Sequence, residues 1–263
     1  MRTVTQPAPR SEPSASSSES LSIVIPCFNE SESLGQLAQR LPEVIDKLAT
    51  RYRQVTVYFV DDGSTDDTLT QLRSRFGHDP RFVVLVHPQN RGLGAALKTG
   101  FSASSSDVVV TTDADGTYEF GEILGLCARL SPDVDVVTAS PYHPEGGVDG
   151  VPAYRLILSQ GASLVYRLLL DPQLHTYTAM FRAYRRHVLD AVQFSSPGYL
   201  SMAEILSEAL FAGFVVAEFP TVLHVRKYGQ SKAKVAKILR DHLRFQAGML
   251  PRAVLRHLDR LGL

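Results

Sequence analysis

Val108-Val109-Val110-Thr111-Thr112-Asp113-Ala114-Asp115 decides how the rest of this chain is read. The first five residues are all β-branched, which suits a buried strand, and the strand ends by presenting two carboxylates one residue apart. Such a pair can hold a hard divalent cation at the rim of a sheet, and such cations most often neutralise phosphates. Asp-x-Asp alone is weak, since chance supplies roughly one in a few hundred residues at average composition. Its position gives it weight. It closes the fourth strand of a strand–helix series whose second strand also ends in acids, Asp61-Asp62-Gly63-Ser64. Two acidic strand ends on one rim predict a nucleotide–metal site.

Outward from that run the pattern repeats. Leu21-Ser22-Ile23-Val24-Ile25-Pro26, Val55-Thr56-Val57-Tyr58-Phe59-Val60 and Phe82-Val83-Val84-Leu85-Val86 are the first three strands, and Val134-Asp135-Val136-Val137 is the fifth. A helix starting at Asn29-Glu30-Ser31-Glu32 runs through Leu34, Leu37 and Leu41, with acids where its dipole favours them. Thr65-Asp66-Asp67 caps the next helix, Gly92-Leu93-Gly94 opens a third, and a fourth covers 120–130. This alternation predicts an α/β fold, a mainly parallel central sheet with helices on both faces. Ligands of such sheets sit outside the carboxyl ends of the strands, where residues 26–30, 61–64, 90–92 and 113–117 fall. The second half is less regular: a loop over 146–152, helices over 155–170, 188–192 and 203–211, and a strand over 215–219. A last helix over 232–250 carries the stripe Val235, Ile238, Leu239, His242, Phe245 and Met249, and a further piece covers 253–261.

The chain has 263 residues, 44% of them hydrophobic, and a formal net charge of zero, so bulk charge indicates no nucleic-acid partner. The neutrality hides a polarity, because residues 226–263 hold ten Lys or Arg against Asp241 and Asp259. Cys27 and Cys127 have no metal or disulfide spacing, and a reducing, cytoplasmic setting fits them. No apolar stretch precedes Leu21, so no secretory signal is expected, and no apolar run nears the ~20 residues that span a bilayer. Residues 1–20, rich in Ser, Pro and Glu, read as a disordered tail, 21–225 as the folded domain, and 226–263 as a basic loop with an amphipathic helical segment.

Asp113 and Asp115 are the candidate ligands of Mg2+ or Mn2+, completed by substrate phosphates. Helix capping is the alternative, and it needs one carboxylate, not two. Asp61 or Asp62 could accept a hydrogen bond from a nucleobase imino N–H, or the pair could be a solvated turn before Thr65. In Arg226-Lys227-Tyr228-Gly229-Gln230-Ser231-Lys232 a glycine sits among cations and hydroxyls, which suits closure over phosphates; the plainer reading is a solvated basic run. Arg155 and Ser159 share a helix face at i, i+4. His175, His187 and His224 lack ligand spacing and read as structural. The Gly92-Leu93-Gly94 turn has neither the third glycine nor the lysine of phosphate-cradling loops.

These residues together resemble the inverting GT-A glycosyltransferases of family 2. The resemblance rests on Ile23-Val24-Ile25-Pro26 with Phe28-Asn29-Glu30, on Val60-Asp61-Asp62-Gly63-Ser64 with Asp66 and Thr68, on Asn90-Arg91-Gly92, and on Asp113-Ala114-Asp115-Gly116. Within the family the dolichol-phosphate mannose synthase branch is similar at Tyr154-Arg155, Ser159-Gln160-Gly161-Ala162, Phe181-Arg182-Ala183-Tyr184-Arg185-Arg186, Gly198-Tyr199 and the 226–232 loop. The chain differs at Ser140-Pro141-Tyr142, where that branch usually has Ser-Arg-Tyr, at Thr176-Tyr177-Thr178 for Asp-x-Thr, and at Thr117 for Gln. The resemblance implies a GT-A fold in which Pro26, Asn29, Glu30, Asp61, Asp62 and Asp113 meet the nucleotide and Asp113 and Asp115 the metal. It implies phosphate or acceptor contacts from Arg226, Lys232, Arg155 and Ser159, with Asp115, Arg226 and Lys232 serving catalysis. The implied reaction moves a sugar from a nucleotide-sugar donor to a polyprenyl or dolichyl phosphate at a membrane surface. A hydroxyl acceptor would instead call for a base, with Glu204 the candidate, and a catalytically inactive binding subunit is the reading from another class. The sequence does not fix an oligomeric state.

Overall fold

The computed structural model describes residues 17–225 and 235–261. Strands β1 (Ser17–Cys27), β2 (Tyr52–Asp61), β3 (Phe82–Val86) and β4 (Val108–Thr111) pair in parallel in the spatial order β3-β2-β1-β4. Their crossovers are helices α1 (Leu34–Ala49), α2 (Thr68–Phe76) and α3 (Leu93–Ala103). After a 3₁₀ turn at Phe120–Glu122 come α4 (Ile123–Ala128), β5 (Val136–Ser140), β6 (Gly147–Asp149) and α5 (Ala153–Leu169). Then follow β7 (Arg182–Arg185), α6 (Arg186–Ala191), α7 (Leu200–Phe211), β8 (Val216–Pro220), β9 (Val222–His224) and α8 (Val235–Leu261). The main sheet reads β3-β2-β1-β4-β7-β5-β8, with β7 antiparallel to both neighbours, while β6 and β9 form a separate pair.

Alternation along the strands builds two cores. Ile23, Ile25, Val57, Phe59, Val108 and Val110 face α1, α2 and α4, while Val24, Val60, Val109 and Tyr184 face α3, α5, α6 and α7. Each fully buried aliphatic side chain contributes about 1.5–3 kcal/mol. Helices therefore cover both faces, as the alternating pattern predicts.

The differences from the sequence reading have local causes. β1 begins at Ser17, so the tail predicted over 1–20 gives way four residues early. Ser20 joins the ladder because Asp107 accepts both its N–H and its hydroxyl. α1 starts at Leu34, not Asn29, since the Ser33 N–H and hydroxyl bond back to the Glu30 carbonyl and hold 30–33 as a turn. Glu30 and Glu32 therefore precede the helix. The loop predicted over 146–152 contains β6, and the two C-terminal pieces form one helix through Pro251. β7 was not anticipated; its Arg-Ala-Tyr-Arg sequence hides a buried strand.

Candidate active site

The carboxyl ends of β1, β2 and β4 meet on one rim, and side chains stitch them together. Asn29 adopts the left-handed region at φ 54°; its N–H donates to Ser64 Oγ at 2.9 Å and its Oδ1 accepts the Thr65 N–H at 2.7 Å. Glu30 N–H donates to Thr68 Oγ1 at 2.8 Å, and Asp66 in turn accepts the Thr68 N–H at 3.0 Å. Asn29 thus joins the two strand ends and does not line the cavity beside them.

The two acids at the end of β2, Asp61 and Asp62, differ in their partners. Asp62 is buried, its Oδ1 accepting from Arg91 N–H at 2.9 Å and His87 Nδ1 at 2.6 Å, its Oδ2 from Gly92 N–H at 2.7 Å. These bonds turn its carboxylate toward the 90–92 loop it holds. Gly92 sits at φ 95°, and a Cβ there would strike the Pro197 carbonyl, so only glycine fits where the two loops cross. Asp61 is buried as well, yet its Oδ1 has no hydrogen-bond partner among the described residues.

Two cavities adjoin at the end of β4. The first, about 220 Å³, is lined by Pro26, Glu30, Asp62, Asn90, Gly92 and Asp113, among others. The second, about 190 Å³, is lined by Asp113, Thr117, Tyr142, Ser159, Thr176 and Thr178 with neighbouring apolar groups. Leu93, Asp113, Met180 and Tyr199 belong to both. Asp113 is the only charged side chain among the described residues lining the second cavity. Asp115 is buried behind it, with Oδ1 accepting the Thr117 N–H at 2.9 Å and hydroxyl at 2.5 Å. Burial pushes the Tyr118 phenol well above its usual range, with Asp113 acting in the same direction, so Tyr118 stays protonated.

The second wall is built of hydroxyls. Ser159 Oγ lies 3.0 Å from Thr178 Oγ1, and Ser140 Oγ lies 2.9 Å from Thr176 Oγ1. Burial raises the Tyr142 pKa, and a bond from Ser159 lowers it in part. Glu218 anchors the wall from behind, accepting His175 and Thr176 N–H bonds at 2.7 and 3.0 Å while its other oxygen meets His175 Nδ1 at 2.7 Å. His175 is thus structural, as are His187 beside Asp135 and His224 beside Asp149.

Pro26, Glu30, Asp62, Asp113 and Ser159 line these cavities, and the buried Asp61 and Asp115 line neither. Glu204 on α7 instead accepts Ser195 N–H at 2.8 Å, Ser195 Oγ at 3.0 Å and Ser196 N–H at 2.8 Å. Both of its oxygens hold that loop, and it lines neither cavity. Arg226 and Lys232 lie outside the described residues; Arg155 lies on α5, with its side chain outside them. Sequence reasoning missed Tyr199 and Met180, which stand at the junction of the cavities. Gly198-Tyr199 carried a motif signal; Met180 carried none.

Asp113 offers both cavities the hard oxygen donor that a cation of the Mg2+ or Mn2+ type takes, and Asp115 stands two residues on with one oxygen taken by Thr117. Among the described residues no three His, Cys, Asp or Glu side chains converge, so the remaining ligands would be phosphate and water oxygens, as such ions prefer.

This rim, with its acidic strand ends and crossovers, is that of a GT-A-like fold. Glucosyl-3-phosphoglycerate synthase from Mycobacterium tuberculosis, solved with Mn2+, uridine diphosphate and glucosyl-3-phosphoglycerate, superposes with a TM-score of 0.62 at 21% identity, covering 93% of this chain and 81% of that one. The same enzyme solved with Mg2+ and uridine diphosphate gives 0.60 at 20% identity, over 93% and 80%. The sequence model described as Glycosyl transferase family 2 matches residues 22–193, and the chain belongs to that family of glycosyltransferases. A polyprenol monophosphomannose synthase from Mycolicibacterium smegmatis is 34% identical over 223 residues, 82% of each chain. A dolichol-phosphate mannosyltransferase from Pyrococcus furiosus is 30% identical over 226 residues, 85% of this chain; the match spans 62% of that longer protein.

Proposed function

We propose that this glycosyltransferase moves a sugar from a nucleoside-diphosphate sugar, GDP-mannose or a UDP-sugar, to a polyprenyl or dolichyl phosphate, with Mg2+ or Mn2+ as cofactor. The observation that carries the reading is Asp113, which lines both the cavity at the β1 and β2 ends and the hydroxyl-lined one. The donor occupies the first cavity and the acceptor phosphate approaches through the second. Asp61 Oδ1, buried and without a partner among the described residues, suits a nucleobase imino N–H, which would offset the cost of an unsatisfied carboxylate oxygen. The names of the two relatives support the lipid-phosphate class, and the metals and uridine diphosphate bound by the solved neighbour support the donor and cofactor.

In the reaction an acceptor phosphate oxygen attacks the anomeric carbon opposite the diphosphate. The new C–O bond forms as the bond to the diphosphate breaks, and the electron pair leaves on the nucleoside diphosphate. The acceptor is already an anion, so no general base is required, in keeping with Glu204 serving as a loop anchor. A cation at Asp113 and Asp115 would neutralise the departing diphosphate. Arg226 and Lys232 are proposed to supply further positive charge to the phosphates.

The acceptor brings the enzyme to a bilayer, although no helix among the described residues is long and apolar enough to cross one. Leu239, Leu243, Leu250 and Val254 are exposed on α8 beside Lys237, Arg240 and Arg244. Such a face suits peripheral docking on an anionic, cytoplasmic surface, each cation contributing about 1 kcal/mol.

Transfer from radiolabelled GDP- and UDP-sugars to a polyprenyl-phosphate extract tests the reading directly. Asp115→Asn is expected to lower turnover by about 10³-fold and to remove the metal dependence of nucleotide binding seen by calorimetry. Equal, metal-independent nucleotide binding by both proteins would sink the metal assignment.

A further inference from the structure

Arg182 opens β7 with no exposed surface and heads the fully buried side chains by size. Its Nε donates to Thr138 Oγ1 at 3.0 Å, one Nη donates to the Tyr177 carbonyl at 2.6 Å, and the other to the Met202 carbonyl. All three acceptors are neutral, and among the described residues no carboxylate forms an ion pair with this guanidinium. A buried cation held only by neutral oxygens costs several kcal/mol, and an apolar side chain of similar volume would fill the space more cheaply. Packing alone therefore does not account for an arginine here.

One of the three acceptor residues lines the second cavity and the other two are joined to residues of its wall. Met202 lines it, and Tyr177 lies between Thr176 and Thr178, which also line it. Thr138 stands two residues before Ser140, whose hydroxyl meets Thr176. In register Arg182 lies between Thr111 of β4 and Thr138 of β5, beside the last residue of the strand that leads to Asp113. It is also within electrostatic reach of Tyr118, where its charge opposes that of Asp113.

We propose that Arg182 is the positioning residue for the anionic acceptor: it fixes the Thr176, Thr178 and Met202 wall and lends that wall a positive charge. The proposal rests on the lipid-phosphate reading above. It makes the fork geometry and the charge separable, because lysine keeps the charge and loses the fork.

Wild type, Arg182→Lys and Arg182→Gln are compared with a short-chain polyprenyl phosphate, reading acceptor KM, donor KM, kcat and nucleotide affinity by calorimetry. Acceptor KM is expected to rise about 5-fold in Arg182→Lys and about 30-fold in Arg182→Gln, with donor KM and nucleotide affinity within about 2-fold of wild type. Donor and acceptor parameters moving together, or an unchanged acceptor KM, would show a purely structural arginine and overturn the proposal. If Arg182→Gln does not fold, Thr138→Val removes a single bond to Nε and is expected to raise acceptor KM about 3-fold with donor KM unchanged; no rise overturns the proposal. A wild type that saturates with the lipid phosphate while the variants match it leaves the lipid-phosphate reading standing and this inference wrong. A wild type that does not use the lipid phosphate at all removes both.

Discussion

The two sides of Asp113, proposed above as donor rim and acceptor wall, are built by different means. The donor rim uses short connections after consecutive parallel strands, and its loops are fixed by carboxylates that accept backbone N–H groups, Asp62 above all. The acceptor wall gathers β5, α5, residues 176–180 and α7 from distant parts of the chain, and holds them with hydroxyl pairs and one buried arginine. Carboxylates hold backbone N–H groups on both sides, Asp62 on the first and Glu218 on the second, and the second adds hydroxyl–hydroxyl pairs, whose weaker neutral bonds are easier to retune.

The sharpest way to break the contrast is Asp62→Ala. It leaves the Arg91 and Gly92 N–H groups and His87 Nδ1 without their acceptor in a buried place. The expected loss is about 3 kcal/mol of stability, read from urea unfolding, with nucleotide binding weakened about tenfold as the 90–92 loop moves. A loss under about 1 kcal/mol would mean that the donor loops are not held by this carboxylate.

How far the sequence disclosed each side follows from the same contrast. The donor rim was legible because strand period, turn residues and acids lie together in short segments such as 108–115 and 55–64. The acceptor wall was legible only in part, since Ser159 was found by its spacing, while Thr178 and Met180 meet it through tertiary structure. β7 escaped because two of its four residues are arginines, and hydrophobic periodicity cannot foresee their partners. Arg182 is satisfied by three neutral oxygens. Arg185 is satisfied by the Leu130, Ser131 and Val134 carbonyls and by Glu19. The stripe read on α8 was right for His242, Phe245 and Met249, which pack inward, but Leu239 belongs to a second, outward row. Arg252, one of the ten Lys or Arg of residues 226–263, bonds Glu208 at 2.6 and 2.9 Å and stacks on Phe211.

The next effect in size comes from the far side of the acceptor wall, where α5 meets α8. His242 Nδ1 lies 2.8 Å from the Tyr166 hydroxyl, and burial pushes its pKa down to about 4. The folded value lies below the unfolded value of about 6.5. The unfolded chain therefore takes up a proton first as the pH falls, and this contribution is full above about pH 6.5 and lost progressively toward pH 4. The expected difference between pH 8 and pH 5 is about 2 kcal/mol. His242→Phe should flatten that part of the pH–stability curve, and a slope equal to that of wild type would exclude His242 as its source.

Ser159→Ala tests the acceptor wall more gently. Losing one hydroxyl opposite Thr178 should cost about 1 kcal/mol of acceptor binding, seen as a roughly fivefold rise in acceptor KM with donor KM unchanged. A larger effect on the donor than on the acceptor would reverse the assignment of the two cavities.

The smallest expected effect on the fold carries the proposal about the membrane. Leu243 and Val254 are each 55% exposed on α8, on the face away from the buried His242, Gln246, Met249 and Ala253. Changing both to glutamate touches no core contact, so stability should stay within about 0.5 kcal/mol of wild type. Each change removes apolar area from a docking face and adds a charge that anionic lipid repels, so liposome partitioning at low salt should weaken by about tenfold or more. Turnover with a short, water-soluble acceptor should not change, because neither residue lines a cavity beside Asp113. If the double variant sediments with anionic vesicles as wild type does, the outward row of α8 is an ordinary solvated surface, and the acceptor must reach the hydroxyl-lined wall by another face.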